Sequence, residues 1–131
     1  MMNIGKAAQK AGLSVKTVRY YANIGIVSPL RNKQTAYRNY TEDDVAKLYF
    51  IGKARRFNFS IEECRELLSL YEDKNRTSQE VKNLTLAKIA EIDKKLTELA
   101  SLKDQLQHLA TGCKGNDRPD CPILDALSTT P

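Results

Sequence analysis

The sequence predicts a mainly α chain in three parts. Residues 1–72 read as a winged helix-turn-helix DNA-binding domain with a second helical pair. Residues 73–110 read as a linker and a long antiparallel coiled-coil dimerisation helix. Residues 111–131 read as a metal-binding loop with a short C-terminal helix. Three observations carry this reading. Two short amphipathic patterns, each opened by a good N-cap, are joined by a turn containing Gly12. From Val81 to Leu109 the chain has neither Pro nor Gly. Cys113 and Cys121 bracket a stretch rich in Gly, Pro, Asn and Asp, residues that break regular structure.

Taken in order, Asn3 is a suitable N-cap, and Ile4, Ala7, Ala8 and Ala11 follow at helical spacing until Gly12 ends the helix. Ser14 caps a second helix, Val15 to about Asn23, closed by Gly25. In a helix-turn-helix this second helix enters the major groove. It carries Lys16, Thr17, Arg19, Tyr20 and Tyr21, basic and hydroxyl groups suited to phosphate oxygens and base edges. Two short extended pieces then flank the polar turn Arg31-Asn32-Lys33-Gln34-Thr35-Ala36, which reads as a hairpin or wing. Alternation places Tyr37, Arg38 and Tyr40 on different faces of it.

Thr41-Glu42-Asp43-Asp44 and Ser60-Ile61-Glu62-Glu63 are capping boxes that open two further helices, with Arg55 and Arg56 at their joint. Exposed arginines there can reach backbone phosphate, although basic residues also favour a helix C-terminus for its own sake. Asp73-Lys74-Asn75-Arg76 is a polar linker, and Thr77-Ser78-Gln79-Glu80 caps the last long helix. At 1.5 Å per residue the uninterrupted run spans about 43 Å. Ile89, Ile92, Leu96, Leu99, Leu102, Leu106 and Leu109 form one stripe along it. A stripe this long requires a partner helix, and a second copy of the chain is the natural one.

Charge agrees with this division. Residues 1–70 hold 12 Lys and Arg against 6 Asp and Glu, a net of +6, while residues 71–131 hold 9 against 10, a net of −1. A basic first half fits a polyanion-binding domain. The start of the chain has no signal-peptide pattern, and no apolar run approaches the roughly 20 residues of a membrane helix. The expectation is a cytoplasmic protein without a membrane partner. No Ser/His/Asp set, phosphate loop or apolar carboxylate pair points to an enzyme.

The paired thiols of Cys113 and Cys121 are either a disulfide or a soft-metal chelate. An odd count of three cysteines in a reducing compartment leans to the chelate. Cys64 stands apart and reads as a small helix residue. Thiolates select Cu(I), Zn(II) and similar ions. Zinc ordinarily takes four ligands, whereas monovalent coinage metals accept two in a line. The single histidine, His108, reads as a surface residue.

The chain resembles the MerR family of bacterial metal-responsive transcription activators, and within it the copper-sensing branch. The resemblance covers nearly the whole chain: Ile4-Gly5-Lys6-Ala7-Ala8, Gly12-Leu13-Ser14, Thr17-Val18-Arg19-Tyr20-Tyr21, Gly25-Ile26-Val27, Tyr37-Arg38-Asn39-Tyr40, the long helix, and the two cysteines followed by Pro122-Ile123. It implies a homodimer on a pseudo-palindromic operator in double-stranded promoter DNA. Metal binding would distort that DNA until RNA polymerase can use it, switching on copper efflux and detoxification genes. It implies DNA contacts from Lys16, Thr17, Arg19, Tyr20, Arg31, Tyr37, Arg38, Tyr40 and Arg55. In divalent-sensing relatives a third cysteine opens the long helix of the other subunit, and the matching residue here is Ser78, beside the metal ligands Cys113 and Cys121. That difference implies Cu(I), with Ag(I) and Au(I) as alternatives. Two thiolates around a monovalent cation leave one negative charge, which loop amides, Lys114 or Arg118 would offset. Pro119 departs from the family pattern without removing a ligand. A redox sensor using a reversible Cys113–Cys121 disulfide, or a divalent-metal sensor of the same fold, remains the alternative.

Overall fold

A computed structural model describes residues 1–35, 37–116 and 118–129. Its helix boundaries follow the capping residues. Asn3 accepts the Lys6 N–H at 2.9 Å and opens α1, Ile4–Ala11. Gly12, at φ 71°, then turns the chain in the left-handed region that a side chain would resist. Ser14 accepts the Thr17 N–H and opens α2, Val15–Asn23. Both capping boxes are reciprocal: Thr41 with Asp44 opens α3, Glu42–Arg56, and Ser60 with Glu63 opens α4, Ile61–Glu72. Such caps satisfy amide groups that a helix start would otherwise leave unbonded, each worth about 1 kcal/mol.

The predicted wing is present as a small antiparallel pair, β1 (Leu30–Arg31) and β2 (Arg38–Asn39), with Leu30 opposite Asn39 and Arg31 opposite Arg38. An isolated bridge between Met2 and Tyr40 ties the base of the wing to the chain start. One core gathers Ala7, Ala8 and Ala11 of α1, Val18 and Tyr21 of α2, Val45, Leu48, Ile51 and Ala54 of α3, and Cys64 of α4. Gly52 lets α3 approach the α1–α2 turn, since a Cβ there would sit 2.9 Å from Leu13 Cδ2.

The long helix α5 runs from Ser78 to Gly112, 35 residues, extending the Val81–Leu109 run at both ends. The Thr77 hydroxyl accepts the Glu80 N–H at 3.3 Å, so Thr77 supplies the cap and Ser78 is the first helical residue. After the cysteine loop comes α6, Pro122–Ser128, with Pro122 in the first helical position that proline tolerates. The chain forms two compact units, Met1–Leu84 and Thr85–Pro131. In the second, Leu96, Leu99, Leu102 and Leu106 are 54–61% exposed, so this chain leaves their stripe open. Among the described residues no helix is long and apolar enough to cross a membrane.

Candidate nucleic-acid interface and thiol loop

On the first unit, α2 and the wing bring most of the predicted DNA-contacting residues to the surface. Arg19, Arg31, Tyr37 and Arg38 line one concavity of about 520 Å³ with Asn3, Ile4 and Gly5 of the α1 start. Three guanidinium groups around one hollow suit an anionic backbone. Lys16 and Tyr20 are exposed along α2. Thr17 is half-buried, and its hydroxyl accepts from Ser14 Oγ at 2.8 Å, so it serves the helix cap.

Two predicted residues sit differently. Tyr40 is not on the wing surface: it is wholly buried in the core, and its hydroxyl has no hydrogen-bond partner among the described residues. The bridge to Met2 turns that face of the wing inward, so Tyr40 is corrected to a packing residue. Arg55 is exposed but engaged, with Nη1 donating to the Phe59 carbonyl at 2.8 Å. It also faces Tyr21, whose phenol pKa is raised from its ordinary 10.0 chiefly by burial, the Arg55 guanidinium acting in the opposite sense. Sequence reasoning missed Asn23, whose Oδ1 accepts from Arg38 Nη2 at 2.6 Å. Nothing in the pattern of α2 distinguishes that asparagine from an ordinary helix-end residue.

On the second unit, α5 ends at Gly112 and delivers Cys113, while the start of α6 delivers Cys121 as its N-cap. Both thiols are free and half-buried, with Sγ atoms 3.6 Å apart. A disulfide would need about 2.05 Å. A linear dithiolate needs twice the metal–sulfur bond, roughly 4.6 Å if that bond is about 2.3 Å. The sulfurs therefore lie between the two closures, about 1 Å short of the linear one. A bent, tetrahedral arrangement would fit their present separation but needs further ligands. Among the described residues no cluster of three or more His, Cys, Asp or Glu could hold an ion. His108 is exposed, and Asp117 lies outside the described residues. Two thiols are soft donors of the kind that bind soft metal ions.

Lys114 and Arg118 line a polar hollow of about 510 Å³ beside Cys121, with Asn116, Asp120 and Asp125. The Cys121 pKa is lowered from its ordinary 9.0, first by the Leu124 N–H at the head of α6 and then by the Cys113 thiol and the Ile123 N–H. Desolvation and the Asp125 carboxylate oppose this. A thiol held towards its thiolate form is both the better metal ligand and the readier nucleophile.

A winged helix-turn-helix, a long helix with an open apolar stripe and a dithiol loop together define a helix-turn-helix regulator that carries its own sensor. The chain belongs to the MerR family: the model described as "MerR HTH family regulatory protein" matches residues 2–70, and that described as "MerR, DNA binding" matches residues 45–109. It is 51% identical to the HTH-type transcriptional regulator HmrR of Rhizobium leguminosarum, over 97% of this chain and 98% of that protein. Against the HTH-type transcriptional regulator CueR of Salmonella typhimurium, identity is 44% over 97% of this chain and 92% of the relative. The fold is similar to a transcription regulator of Ralstonia metallidurans crystallised in complex with lead(II), with TM-score 0.80, 32% identity, and coverage of 98% and 100% of the two chains.

Proposed function

We propose that this protein is a Cu(I)-responsive transcriptional activator, with Ag(I) and Au(I) as alternative ions, controlling copper efflux and detoxification genes in the cytoplasm. One observation supports the choice of ion: the loop offers two free thiols, and among the described residues no cluster of three or more ligands accompanies them. Cys113 and Cys121 would hold the ion, and its bonds to both sulfurs would fix the spacing of the loop. An ion held by both sulfurs would tie the end of α5 to the head of α6. The apolar side chains Leu124 and Leu127, 62% and 76% exposed, then have a defined direction in which to dock.

The open stripe of α5 supports a homodimer whose two first units sit on a pseudo-palindromic operator. Lys16, Arg19 and Tyr20 of α2, and Arg31, Tyr37 and Arg38 of the wing, would contact the duplex. Thr17 and Arg55 would contribute from the cap of α2 and the α3–α4 joint. Most of these groups reach phosphate, so recognition depends heavily on how readily the promoter deforms. A dimer that holds distorted promoter DNA more tightly with metal must, by linkage, hold metal more tightly on distorted DNA. RNA polymerase would use the distorted form.

A second reading, a thiol–disulfide switch, is supported by the same sulfur separation and by the lowered Cys121 pKa. A divalent-metal sensor would need a ligand beyond the two thiols, and Ser78 of a partner protomer is a poor one. Anaerobic, thiol-buffered titration of the reduced protein with Cu(I) and with Zn(II) separates the three. One tightly held Cu(I) per chain, lost in Cys113→Ser and in Cys121→Ser, is expected. Tighter Zn(II) binding would favour the divalent sensor, and binding of neither would leave the disulfide switch.

A further inference from the structure

Helix α2 ends without a basic residue of its own in the last turn, although the carbonyls at a helix C-terminus attract cations. Two arginines from elsewhere supply that charge at adjacent residues. Arg38 of the wing donates from Nη2 to Asn23 Oδ1 at 2.6 Å. Arg65 of α4 donates from Nη2 to the carbonyl of Ile24, the C-cap residue of α2. That carbonyl lies beyond the last helical turn, where intrahelical partners are missing.

We propose that Asn23 and Arg65 are positioning residues that fix α2 to the wing and to α4 without touching DNA. The inference rests on reading α2 as the helix that meets the duplex. Arg38 at Asn23 and Arg65 at Ile24 hold the C-terminal end of α2, so its exposed face and the wing keep one fixed spacing. Sequence discrimination by an inserted helix needs side chains within hydrogen-bond reach of base edges, a demand that tilting the helix spoils. Attraction to phosphate tolerates such a tilt. Loss of the clamp should therefore erode discrimination and leave the ionic part of binding intact.

The test uses a fluorescein-labelled duplex selected by the wild-type protein from a random-sequence pool, with a scrambled duplex as reference. Binding is followed by anisotropy between about 50 and 200 mM salt. Arg65→Met and Asn23→Ala should each lose roughly tenfold of the preference for the selected duplex, with the salt dependence unchanged. Arg65→Lys, which keeps a donor, should recover part of that preference. Lys16→Ala should instead lower the salt slope by about 1. If Arg65→Met lowers the slope as Lys16→Ala does, Arg65 binds phosphate itself and the proposal is overturned. Unchanged preference in both Arg65→Met and Asn23→Ala also overturns it. A wild-type protein that prefers no duplex would refute the reading of α2, and the clamp would lose its role with it.

Discussion

The two units of this chain bury apolar surface in opposite ways. In the first, short helices and a two-stranded wing close around side chains such as Tyr40, Leu48, Ile51 and Val18, each under 2% exposed. In the second, most of the leucines of α5 and α6 face outward. The first unit is therefore stabilised by contacts within one chain, whereas the second leaves its apolar stripe open, to be covered in the proposed dimer by a second copy. Stability of the first should be independent of protein concentration, and that of the second should rise with it.

The largest effect should come from breaking the closed side. Tyr40→Ala removes a wholly buried ring and should cost about 3–5 kcal/mol, seen as a drop in Tm that is the same in dilute and concentrated samples. Tyr40→Phe sharpens the point: it deletes only a hydroxyl without a partner among the described residues, so it should cost less than about 1 kcal/mol or stabilise slightly. On the open side, Leu99→Ala would remove two side chains from the proposed dimer and should weaken association by about 2–4 kcal/mol. Analytical ultracentrifugation would show a shift towards monomer while the α1–α4 helices keep their signal. An unchanged sedimentation profile would mean that another surface covers the stripe.

Smaller effects refine the comparison. Thr41→Ala removes half of a reciprocal capping box and should lower stability by about 1 kcal/mol, measured by urea unfolding of the full chain. At the thiol loop, the lowered Cys121 pKa favours the folded state above the ordinary thiol value. That contribution fades as pH falls from 9.0 through the lower folded value. Alkylation of Cys121 should accordingly persist to lower pH than that of an ordinary thiol, and unfolding should abolish the difference. Equal pH profiles in both states would refute the amide effect of α6.

Local chemistry made much of this fold legible. Asn3, Ser14, Thr41 and Ser60 are N-caps because their side chains reach amides three residues on, a relation written entirely in neighbouring residues. The thiol pair was legible for the same reason. Tyr40 was not, because alternation along a two-residue strand shows that faces differ without showing which one meets a core. The Arg65–Ile24 bond joins residues 41 apart in sequence, and only the packed fold brings them together. The last turn of α5 was missed because Gly112 is a poor helix former that tolerates a final turn.

The unbonded sulfurs of Cys113 and Cys121 also set a chemical rivalry. A two-electron oxidant such as a peroxide needs only to bring them about 1.5 Å closer to lock the pair as a disulfide. Under the proposed function, each chain so locked would give up both donor atoms at once. In a partly oxidised population the response to metal would saturate at the fraction of reduced chains, while the affinity of those chains stayed the same. A cell under oxidative load would then register a smaller metal signal from the same dose, and a thiol reductant would restore it.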